Sequence, residues 1–277
     1  ACRQARSLAQ KGTAMQHVFG PVPSRRLGRS LGLDLVPFKT CPFDCVYCQL
    51  GPTTHKTAER AEWVSIEPVL AELRERLATR PDYITLSGSG EPTLHARAGE
   101  LIRRIQAMTD VPVAVLTNGA LLDRPEVREE LAPANLVVPS LDGGDAETLQ
   151  RVNRPADGIE FGRIVEGLEA FTREAAGKVW LEVMIVGGYN DADAQVARLA
   201  EHVRRIGPDR VQINTVTRPP TESDARPVSP DRLAEIAAAF DPPAEVIAQF
   251  EAHGPGGDYT AGLEDITALL ARRPCTL

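Results

Sequence analysis

Apolar and polar residues alternate along the chain with two periods, one typical of strands and the other of helices. The first strand is predicted where Gly32 and Asp34 alternate with the apolar residues Leu31, Leu33 and Leu35. Farther along, Ser65 stands where it can cap a helix, and one face of that helix carries Leu70, Leu73 and Leu77. The first predicted unit is therefore a strand followed by a helix.

The same order of strand and helix recurs as far as residue 215. Further strands are predicted at 83–86, 113–116, 136–138, 179–186 and 211–215, and helices at 96–108, 124–131, 145–151, 159–175 and 191–205. The connections are long enough for the six strands to pair in parallel. We therefore expect an α/β fold, a partial (β/α)6 TIM-like barrel of parallel strands, with its chemistry at the carboxyl ends of the strands.

The pattern changes after the sixth strand. A proline-rich loop opens at Arg218, followed by a helix predicted at 231–240, an extended stretch at 245–249, a glycine-rich linker at 253–257 and a last helix at 263–272. The barrel thus carries a C-terminal extension. We divide the chain into 1–14, an expression remnant or disordered tail; 15–250, the barrel; and 251–277, a linker and C-terminal helix that we interpret as the start of a further domain.

Composition sets broad limits on the class of protein. Of the 277 residues, 43% are hydrophobic and 25% are charged, the proportions of a soluble globular protein. The sequence has no run of 18 apolar residues and no apolar secretory signal at its start, so we expect a cytoplasmic protein without a membrane span. The net charge of −7 disfavours nucleic acid as a partner, although a local basic patch stays compatible with it.

Three of the five cysteines fall within eight positions, at Cys41, Cys45 and Cys48. Thiolates clustered this closely bind soft metals. A closed zinc site needs four ligands, whereas three thiolates on a four-iron cluster leave one iron open for a substrate or cofactor. A structural zinc knuckle, or three unrelated cysteines, is the alternative interpretation.

The spacing Cys-x3-Cys-x2-Cys, with Tyr47 just before the last cysteine, resembles the cluster loop of the radical S-adenosylmethionine (radical SAM) superfamily. The stretch 19–51 is similar to a branch of radical SAM Fe–S oxidoreductases that is distantly related to wybutosine-synthesising tRNA enzymes. The resemblance implies a [4Fe–4S] cluster with S-adenosylmethionine on its fourth iron, and reductive cleavage of that cofactor to methionine and a 5′-deoxyadenosyl radical. The implied ligands of the other three irons are Cys41, Cys45 and Cys48.

The same resemblance implies cofactor contacts at the predicted strand ends. The family usually has Gly-Gly-Glu after the second strand, where glycines approach the methionyl part and the acid meets its amino group; here Ser89 replaces a glycine. The turns at 117–119, after strand three, and at 140–142, after strand four, resemble turns that lie near the methionyl carboxylate and the ribose in this superfamily. Tyr47 resembles the residue that packs near adenine. Without the family, each turn reads as an ordinary turn or helix cap. The implied cofactor-binding residues are Tyr47, Ser89, Gly90, Glu91, Thr117, Asn118, Ser140 and Asp142.

Polar residues interrupt strands that should be apolar on both faces of a parallel sheet. Asp34, Glu182, Gln212 and Asn214 fall opposite the aliphatic residues, which predicts either a polar lumen with a ligand cavity or a buried network of polar groups that satisfy one another. Basic residues near the strand tops either bind an anionic substrate, such as a phosphate or carboxylate, or belong to a solvated surface: Arg25, Arg26, Arg29, Lys39 and Arg218. The expected substrate-binding residues are Arg25, Arg26, Glu182, Asn214 and Arg218.

These observations predict a radical SAM enzyme that abstracts hydrogen from an unidentified substrate, with no catalytic side chain assigned. The expected cofactors are a [4Fe–4S] cluster and S-adenosylmethionine, and the expected partners are the substrate and an electron donor such as flavodoxin or ferredoxin. RNA-base modification is one rival within the class, and a protein-radical activase or a small-molecule enzyme is another. A non-catalytic zinc-binding or iron–sulfur protein is the alternative from a different class.

Overall fold

The computed structural model describes residues 17–248. The predicted tail at 1–14, the linker and the last helix lie outside the described residues. The strands are β1 (Val18–Ser24), β2 (Gly28–Leu33), β3 (Thr40–Cys41), β4 (His55–Lys56), β5 (Tyr83–Leu86), β6 (Val113–Thr117), β7 (Leu136–Pro139), β8 (Lys178–Ile185), β9 (Arg210–Thr215) and β10 (Glu245–Val246). The α-helices are α1 (Ile66–Arg76), α2 (Ala98–Met108), α3 (Pro125–Leu131), α4 (Ala146–Val152), α5 (Phe161–Glu174), α6 (Asp193–Ile206) and α7 (Pro230–Ala238).

Eight strands form one sheet in the order β1–β2–β5–β6–β7–β8–β9–β10, and β3 pairs with β4 separately. β1 and β2 are antiparallel, whereas the other neighbours are parallel. The six predicted parallel strands are β2 and β5 to β9, which confirms the α/β fold and the partial barrel. Within residues 17–248, β1 and β10 are the two edges of the sheet, so the barrel stays open along a seam between the β1–β2 turn and β10.

The β1–β2 hairpin is the main element that the sequence did not predict. Its first strand contains Pro21 and Pro23, and proline cannot donate to a sheet ladder, so the local pattern does not indicate a strand. The structure places this strand at a sheet edge, where proline is tolerated. Gly32 of β2 leaves room for the ring of Phe19, which comes within 2.1 Å of the place where a Cβ would be. The hairpin closes tightly because of this glycine.

Helices cover the outer face of the sheet. The predicted apolar stripe of α5 is buried at Ile164, Leu168 and Phe171. On α1, Leu70 and Leu73 are buried as predicted, whereas Leu77 falls in the 3-10 turn that follows the helix. Ser65 takes the N-cap position of α1 without a side-chain capping bond. Within the described range no helix has the length and hydropathy to cross a membrane, since the longest have 14 residues.

The inner face of the sheet is polar, as the strand phases predicted. On β8, Leu181 and Val183 are fully buried, while Glu182 and Met184 on the other face are partly buried and line a central cavity. On β9, Asn214 lines the same cavity. The carboxyl ends of β2 and of β5 to β9 meet at one rim of the barrel, and the loops that follow them build the site described next.

Candidate functional site

The cysteine loop begins on β3 and is held against the end of α4. The backbone N–H groups of Asp44 and Val46 donate to the carbonyl oxygens of Asn153 and Val152, each at 2.9 Å. The Asp44 carboxylate in turn accepts a hydrogen bond from the Thr53 N–H at 2.6 Å. These bonds define the shape of the loop. Along it lie three free, half-buried thiols: Cys41, Cys45 and Cys48.

Each of these sulfur atoms accepts a hydrogen bond from a side-chain nitrogen, and the three donors come from different segments. The bonds run from Lys39 Nζ to Cys48 Sγ (3.1 Å), from Asn118 Nδ2 to Cys41 Sγ (3.4 Å) and from Asn153 Nδ2 to Cys45 Sγ (3.3 Å). Lys39 belongs to the loop itself, Asn118 follows β6, and Asn153 follows α4. Donors aimed at sulfur suit thiolate ligands, whose properties depend on such bonds.

Burial opposes ionisation of two thiols of the loop, those of Cys41 and Cys45. Burial raises the pKa of Cys41 to about 12, and the charge of Glu91 adds to the shift. Burial also raises the pKa of Cys45 well above its ordinary value. Within residues 17–248, no three His, Cys, Asp or Glu side chains are placed to hold one metal ion. Three thiolates suit a four-iron cluster, which takes each thiolate on a separate iron and keeps one iron open, whereas a closed zinc site needs four ligands.

Glu91 lies in the turn after β5 and is buried, with 3% of its surface exposed. Its Oε1 accepts hydrogen bonds from Thr93 N–H at 3.0 Å, Thr93 Oγ1 at 2.7 Å and Thr117 Oγ1 at 2.7 Å. Its Oε2 accepts from the backbone N–H of Asn118 at 2.8 Å. Burial raises the pKa of this carboxyl, although these hydrogen bonds oppose the shift. Glu91 thus ties the turns after β5 and β6 together.

The segment Ser89–Gly90 packs the turn after β5 against the cysteine loop. A Cβ on Gly90 would lie 2.0 Å from the carbonyl oxygen of Thr40, so glycine is required for this approach. Ser89 donates to the carboxylate of Asp34 from its hydroxyl and, at 3.0 Å, from its N–H. Its carbonyl accepts from the N–H of Lys39 at 2.7 Å. The turn and the loop therefore form one unit.

Tyr47, Asp142 and Asn153 form a chain of hydrogen bonds between the cysteine loop and the turn after β7. The Tyr47 hydroxyl donates to Asp142 Oδ2 at 2.6 Å, and Asn153 Nδ2 donates to the same oxygen at 2.7 Å. Asp142 Oδ1 accepts from the N–H of Met184 at 2.9 Å. Burial raises the pKa of both Tyr47 and Asp142. Nearby, the N–H of Ser140 donates to the carbonyl oxygen of Thr117 at 3.1 Å.

A cavity of about 400 Å³ lies between the cysteine loop and the seam. Part of its lining, termed the cysteine wall, includes Cys41, Tyr47, Cys48, Ser89 and Gly90. The same lining includes the predicted substrate-binding residues, termed the arginine wall: Arg25, Arg26, Glu182, Asn214 and Arg218. The remaining predicted cofactor residues support the cysteine wall from behind: Glu91, Thr117 and Asp142 are buried, and Asn118 and Ser140 are their partly buried neighbours.

Four of the five residues of the arginine wall, all but Arg218, form a connected polar network. Arg26 Nη2 lies 2.7 Å from Glu182 Oε2, with 13% and 15% of the two side chains exposed. Asn214 Nδ2 donates to Glu182 Oε1 at 3.0 Å, and Arg25 Nη1 donates to Asn214 Oδ1 at 3.0 Å. Burial alone would raise the pKa of Glu182, but the charge of Arg26 and the other donors outweigh it and lower the pKa. The network and the ligand cavity are thus the same structure.

Arg25 and Arg218 differ from Arg26 in the charge of their partners. Arg25 donates from Nη1 to a side-chain amide oxygen and to two backbone carbonyl oxygens. Arg218 donates from Nη1 to Gln49 Oε1 at 2.8 Å. Burial lowers the pKa of Arg25; Glu182 opposes this, and the charges of Arg26 and Arg218 add to it. In the described part of the chain, Arg25 and Arg218 therefore have only neutral acceptors.

Two residues that support the site, Asn153 and Asn190, received no role from the sequence, and a third, Lys39, was expected among the basic residues for an anionic substrate rather than beside a cysteine sulfur. Asn190 Nδ2 donates to the carbonyl oxygens of Asp142 and Met184, each at 2.7 Å. The sequence offers a signal only for Lys39, which stands close to the first cysteine of the triplet. Asn153 lies 108 residues from the cysteine that it contacts, and nothing in the local pattern marks it.

Comparison with known proteins gives matches along most of the chain. The sequence profile of the radical SAM superfamily matches residues 35–203. A UPF0026 protein of Methanocaldococcus jannaschii is 35% identical over 82% of this chain and 72% of its own length. A UPF0026 protein of Synechocystis is 40% identical over 75% of this chain and 78% of its own length. A Brachyspira hyodysenteriae protein named GTPase Obg is 37% identical over 95% of this chain, and the chain spans 39% of that relative.

Solved structures share the fold. TYW1 with a lysine-pyruvate adduct bound superimposes with a TM-score of 0.60 and 18% identity, over 88% of this chain and 81% of TYW1. A radical SAM methyltransferase from Sphaerobacter thermophilus superimposes with a TM-score of 0.58 and 21% identity, over 80% of this chain and 67% of the methyltransferase. Members of this superfamily use a [4Fe–4S] cluster and S-adenosylmethionine, and need a reductant and a substrate. The chain therefore belongs to the radical SAM superfamily and, within it, to the UPF0026 family, as an enzyme that cleaves S-adenosylmethionine reductively.

Proposed function

We propose that this enzyme abstracts a hydrogen atom from a small substrate that carries a phosphate group. The observation that carries the proposal is one cavity of about 400 Å³ whose lining includes both the cysteine loop and the arginines. A substrate whose phosphate binds the arginines has its remaining atoms in the space that the cysteine loop also lines. A bound substrate fills this space and thereby limits the access of water to a reactive radical.

The cysteine wall is the cofactor end of this cavity. When bound, the cluster supplies one electron that breaks the bond between sulfur and the 5′ carbon of S-adenosylmethionine, giving methionine and a 5′-deoxyadenosyl radical that takes hydrogen from the substrate. We assign Tyr47, Ser89 and Gly90 to direct cofactor contact because they line the cavity. The iron ligands in this proposal are Cys41, Cys45 and Cys48.

Residues behind the cysteine wall complete the proposed cofactor site. We assign the amino group of S-adenosylmethionine to Glu91 Oε2, which accepts a single hydrogen bond within the described residues and so retains acceptor capacity. We assign the methionyl carboxylate to the turn at Thr117 and Asn118, and the ribose to the turn at Ser140. Asp142 already accepts bonds on both carboxylate oxygens, so we propose that it orders the ribose turn through its own network.

The charges of the cavity support an anionic substrate. The whole cavity lining carries four basic side chains and one acidic side chain: Arg25, Arg26, Lys39, Arg218 and Glu182. Arg26 is neutralised by Glu182, and Lys39 donates to a cysteine sulfur. Arg25 and Arg218 remain with neutral acceptors, and planar guanidinium groups bind phosphate through paired hydrogen bonds.

Two more distant relatives have substrates that carry phosphate, which also supports this class. The GTP 3′,8-cyclase of Alkaliphilus oremlandii is 27% identical over 56% of this chain and 47% of its own length. A probable dual-specificity RNA methyltransferase of Parasynechococcus marenigrum is 25% identical over 66% of this chain and 55% of its own length. GTP is a small molecule and RNA is a polymer, and the net charge of −7 favours the small molecule.

Hydrogen transfer tests this proposal directly. Cells grown on deuterated medium supply small-molecule, RNA and protein fractions, each incubated anaerobically with the reconstituted enzyme, a reductant and unlabelled S-adenosylmethionine. We expect mass spectrometry to find deuterium in 5′-deoxyadenosine with the small-molecule fraction, and none after phosphatase treatment of that fraction. Deuterium only with RNA would favour RNA-base modification, and transfer that survives phosphatase would point to a carboxylate. Unlabelled 5′-deoxyadenosine with every fraction would refute hydrogen abstraction from a substrate.

The electron for cleavage is proposed to come from a small redox protein, a flavodoxin or a ferredoxin. Both classes carry one electron at low potential, which iron–sulfur clusters of this kind require. Replacing a chemical reductant by each reduced protein, and measuring the rate at which 5′-deoxyadenosine forms, distinguishes the two donors. Formation with neither donor, in a preparation that turns over with the chemical reductant, would refute both.

A further inference from the structure

Lys39 is a buried lysine beside the cysteine loop, with 3% of its surface exposed. A buried ammonium group is costly unless it has a partner. The side-chain partner that the structure gives it is Cys48 Sγ, at 3.1 Å from Nζ. Lys39 therefore places a full positive charge against one sulfur of the iron-binding triplet.

The backbone of Lys39 is held so that the side chain keeps this direction. Its φ of 56° lies in the left-handed region, which a non-glycine residue adopts only at an energetic cost. Its N–H donates to Ser89 at 2.7 Å, and its carbonyl oxygen accepts from the N–H groups of Thr54 and His55 at 3.2 and 3.1 Å. An unfavourable conformation fixed by these three bonds is typical of a functional position.

We propose that Lys39 is a positioning residue that raises the reduction potential of the cluster, and that Asn118 and Asn153 act in the same way with smaller effect. Reduction adds negative charge to the cluster and its thiolates, and a nearby positive charge stabilises the reduced form. Lys39 contributes a full charge, whereas the two asparagines contribute amide dipoles. The potential of an iron–sulfur cluster depends on such bonds to sulfur.

Substitutions at Lys39 separate its charge from its hydrogen bond. Lys39→Met removes both, Lys39→Gln keeps a neutral N–H donor, and Lys39→Arg keeps the charge. All three replacements are unbranched at Cβ, so they make the same demand on the left-handed backbone. The matched control is Lys56→Met, on β4 of the same small sheet. Lys56 is exposed, and its Nζ donates to two backbone carbonyl oxygens at 3.5 Å rather than to sulfur.

The measurement is the reduction potential of the reconstituted full-length chain, titrated anaerobically and followed by EPR, with iron content as a check on loading. Lys39→Met should lower the equilibrium constant for reduction by at least about tenfold, which is 59 mV for one electron. Lys39→Arg should keep a potential near that of the wild type, and Lys39→Gln should fall between. Asn118→Ala should shift the potential less than Lys39→Met, and Lys56→Met should leave it unchanged.

An unchanged reduction potential in Lys39→Met would overturn the proposal, because Lys39 would then have no effect on the cluster. An equal shift in Lys56→Met would also overturn it, because the shift would then come from the overall charge of the protein. If Lys39→Met does not retain iron, the comparison between Lys39→Arg and Lys39→Gln decides, and equal potentials in that pair would refute it. The titration contains no substrate, so its outcome is independent of the proposal for the arginine wall.

Discussion

The two walls of the cavity are built on different principles. Behind the cysteine wall, the carboxylates of Glu91 and Asp142 accept four and three hydrogen bonds from the chain itself. On the arginine wall, Arg25 and Arg218 have only neutral acceptors among the described residues. Under the proposed function, the groups assigned to the cofactor are held in place beforehand by the chain, whereas the charges assigned to the substrate are left for a ligand to complete.

The largest effect expected on the cysteine wall is loss of the cluster. Changing Cys41, Cys45 or Cys48 to Ala removes a ligand that the loop backbone cannot replace. We expect iron content and the cluster's absorbance to fall close to the background of the metal-free protein. Cys2→Ala and Cys275→Ala, which lie outside the described residues, serve as controls and should retain iron. Four irons per chain in Cys45→Ala would contradict the assignment.

On the arginine wall, the largest expected effect is on stability. Arg26→Met leaves the Glu182 carboxylate largely buried without its ion pair, and breaking a pair of this kind costs about 3 kcal/mol in the free energy of unfolding. Urea denaturation followed by circular dichroism measures the change. Arg97→Met removes an arginine from exposed ion pairs and should leave stability nearly unchanged. Equal stability of both variants would show that the Arg26 pair does not hold the seam.

Cofactor affinity tests whether the order behind the cysteine wall matters for binding. Glu91→Gln removes the charge proposed to meet the amino group, and it turns an N–H toward the donors at Thr117 or Asn118. We expect binding of S-adenosylmethionine to weaken at least about tenfold, with iron content unchanged. Titration of the cluster's EPR signal with the cofactor measures this. Glu126→Gln, an exposed site on α3, is the control, and equal affinity in both variants would remove Glu91 from the cofactor site.

Phosphate binding tests whether the arginine wall still needs a ligand. Arg218→Gln removes a guanidinium that has only Gln49 as its acceptor, so the fold should tolerate it. We expect affinity for inorganic pyrophosphate, measured by calorimetry on the reconstituted enzyme, to fall about fivefold, the usual scale for a partly exposed charged contact. Arg163→Gln, with 64% of its side chain exposed, is the control. Pyrophosphate that binds both variants as it binds the wild type would place the anion elsewhere.

The smallest expected effect is a pH dependence of stability through Glu182. Its pKa in the folded protein lies below the reference value of 4.5, so its ionised form is favoured by folding. That contribution is present above about pH 4.5 and is lost as the pH falls through the lower, folded-state pKa. Wild type should therefore exceed Glu182→Gln in stability at pH 7, and the difference should shrink toward pH 3. A constant difference across this range would show that Glu182 does not titrate with folding.

Local sequence patterns were enough to predict the repeating strands and helices, but not the side-chain contacts between segments that are far apart in sequence. Hydrophobic periods predicted the parallel strands and the outer helices, because burial on a sheet or helix repeats with a fixed spacing. The edge strand β1 was missed because prolines mask its strand pattern. The cysteine triplet was visible because its ligands are close in sequence. Asn153 and Asn190 were invisible, since their roles depend on contacts that only the fold creates.

Reductive cleavage of S-adenosylmethionine at the cysteine loop is measured by reducing the reconstituted protein in the presence of this cofactor. Methionine and 5′-deoxyadenosine are then quantified by mass spectrometry, with Cys45→Ala as the control. We expect both products to form in equal amounts in the wild type and to stay at background in the variant. Intact S-adenosylmethionine, in a preparation with four irons per chain and the EPR signal of a reduced cluster, would show that the loop does not perform this reaction.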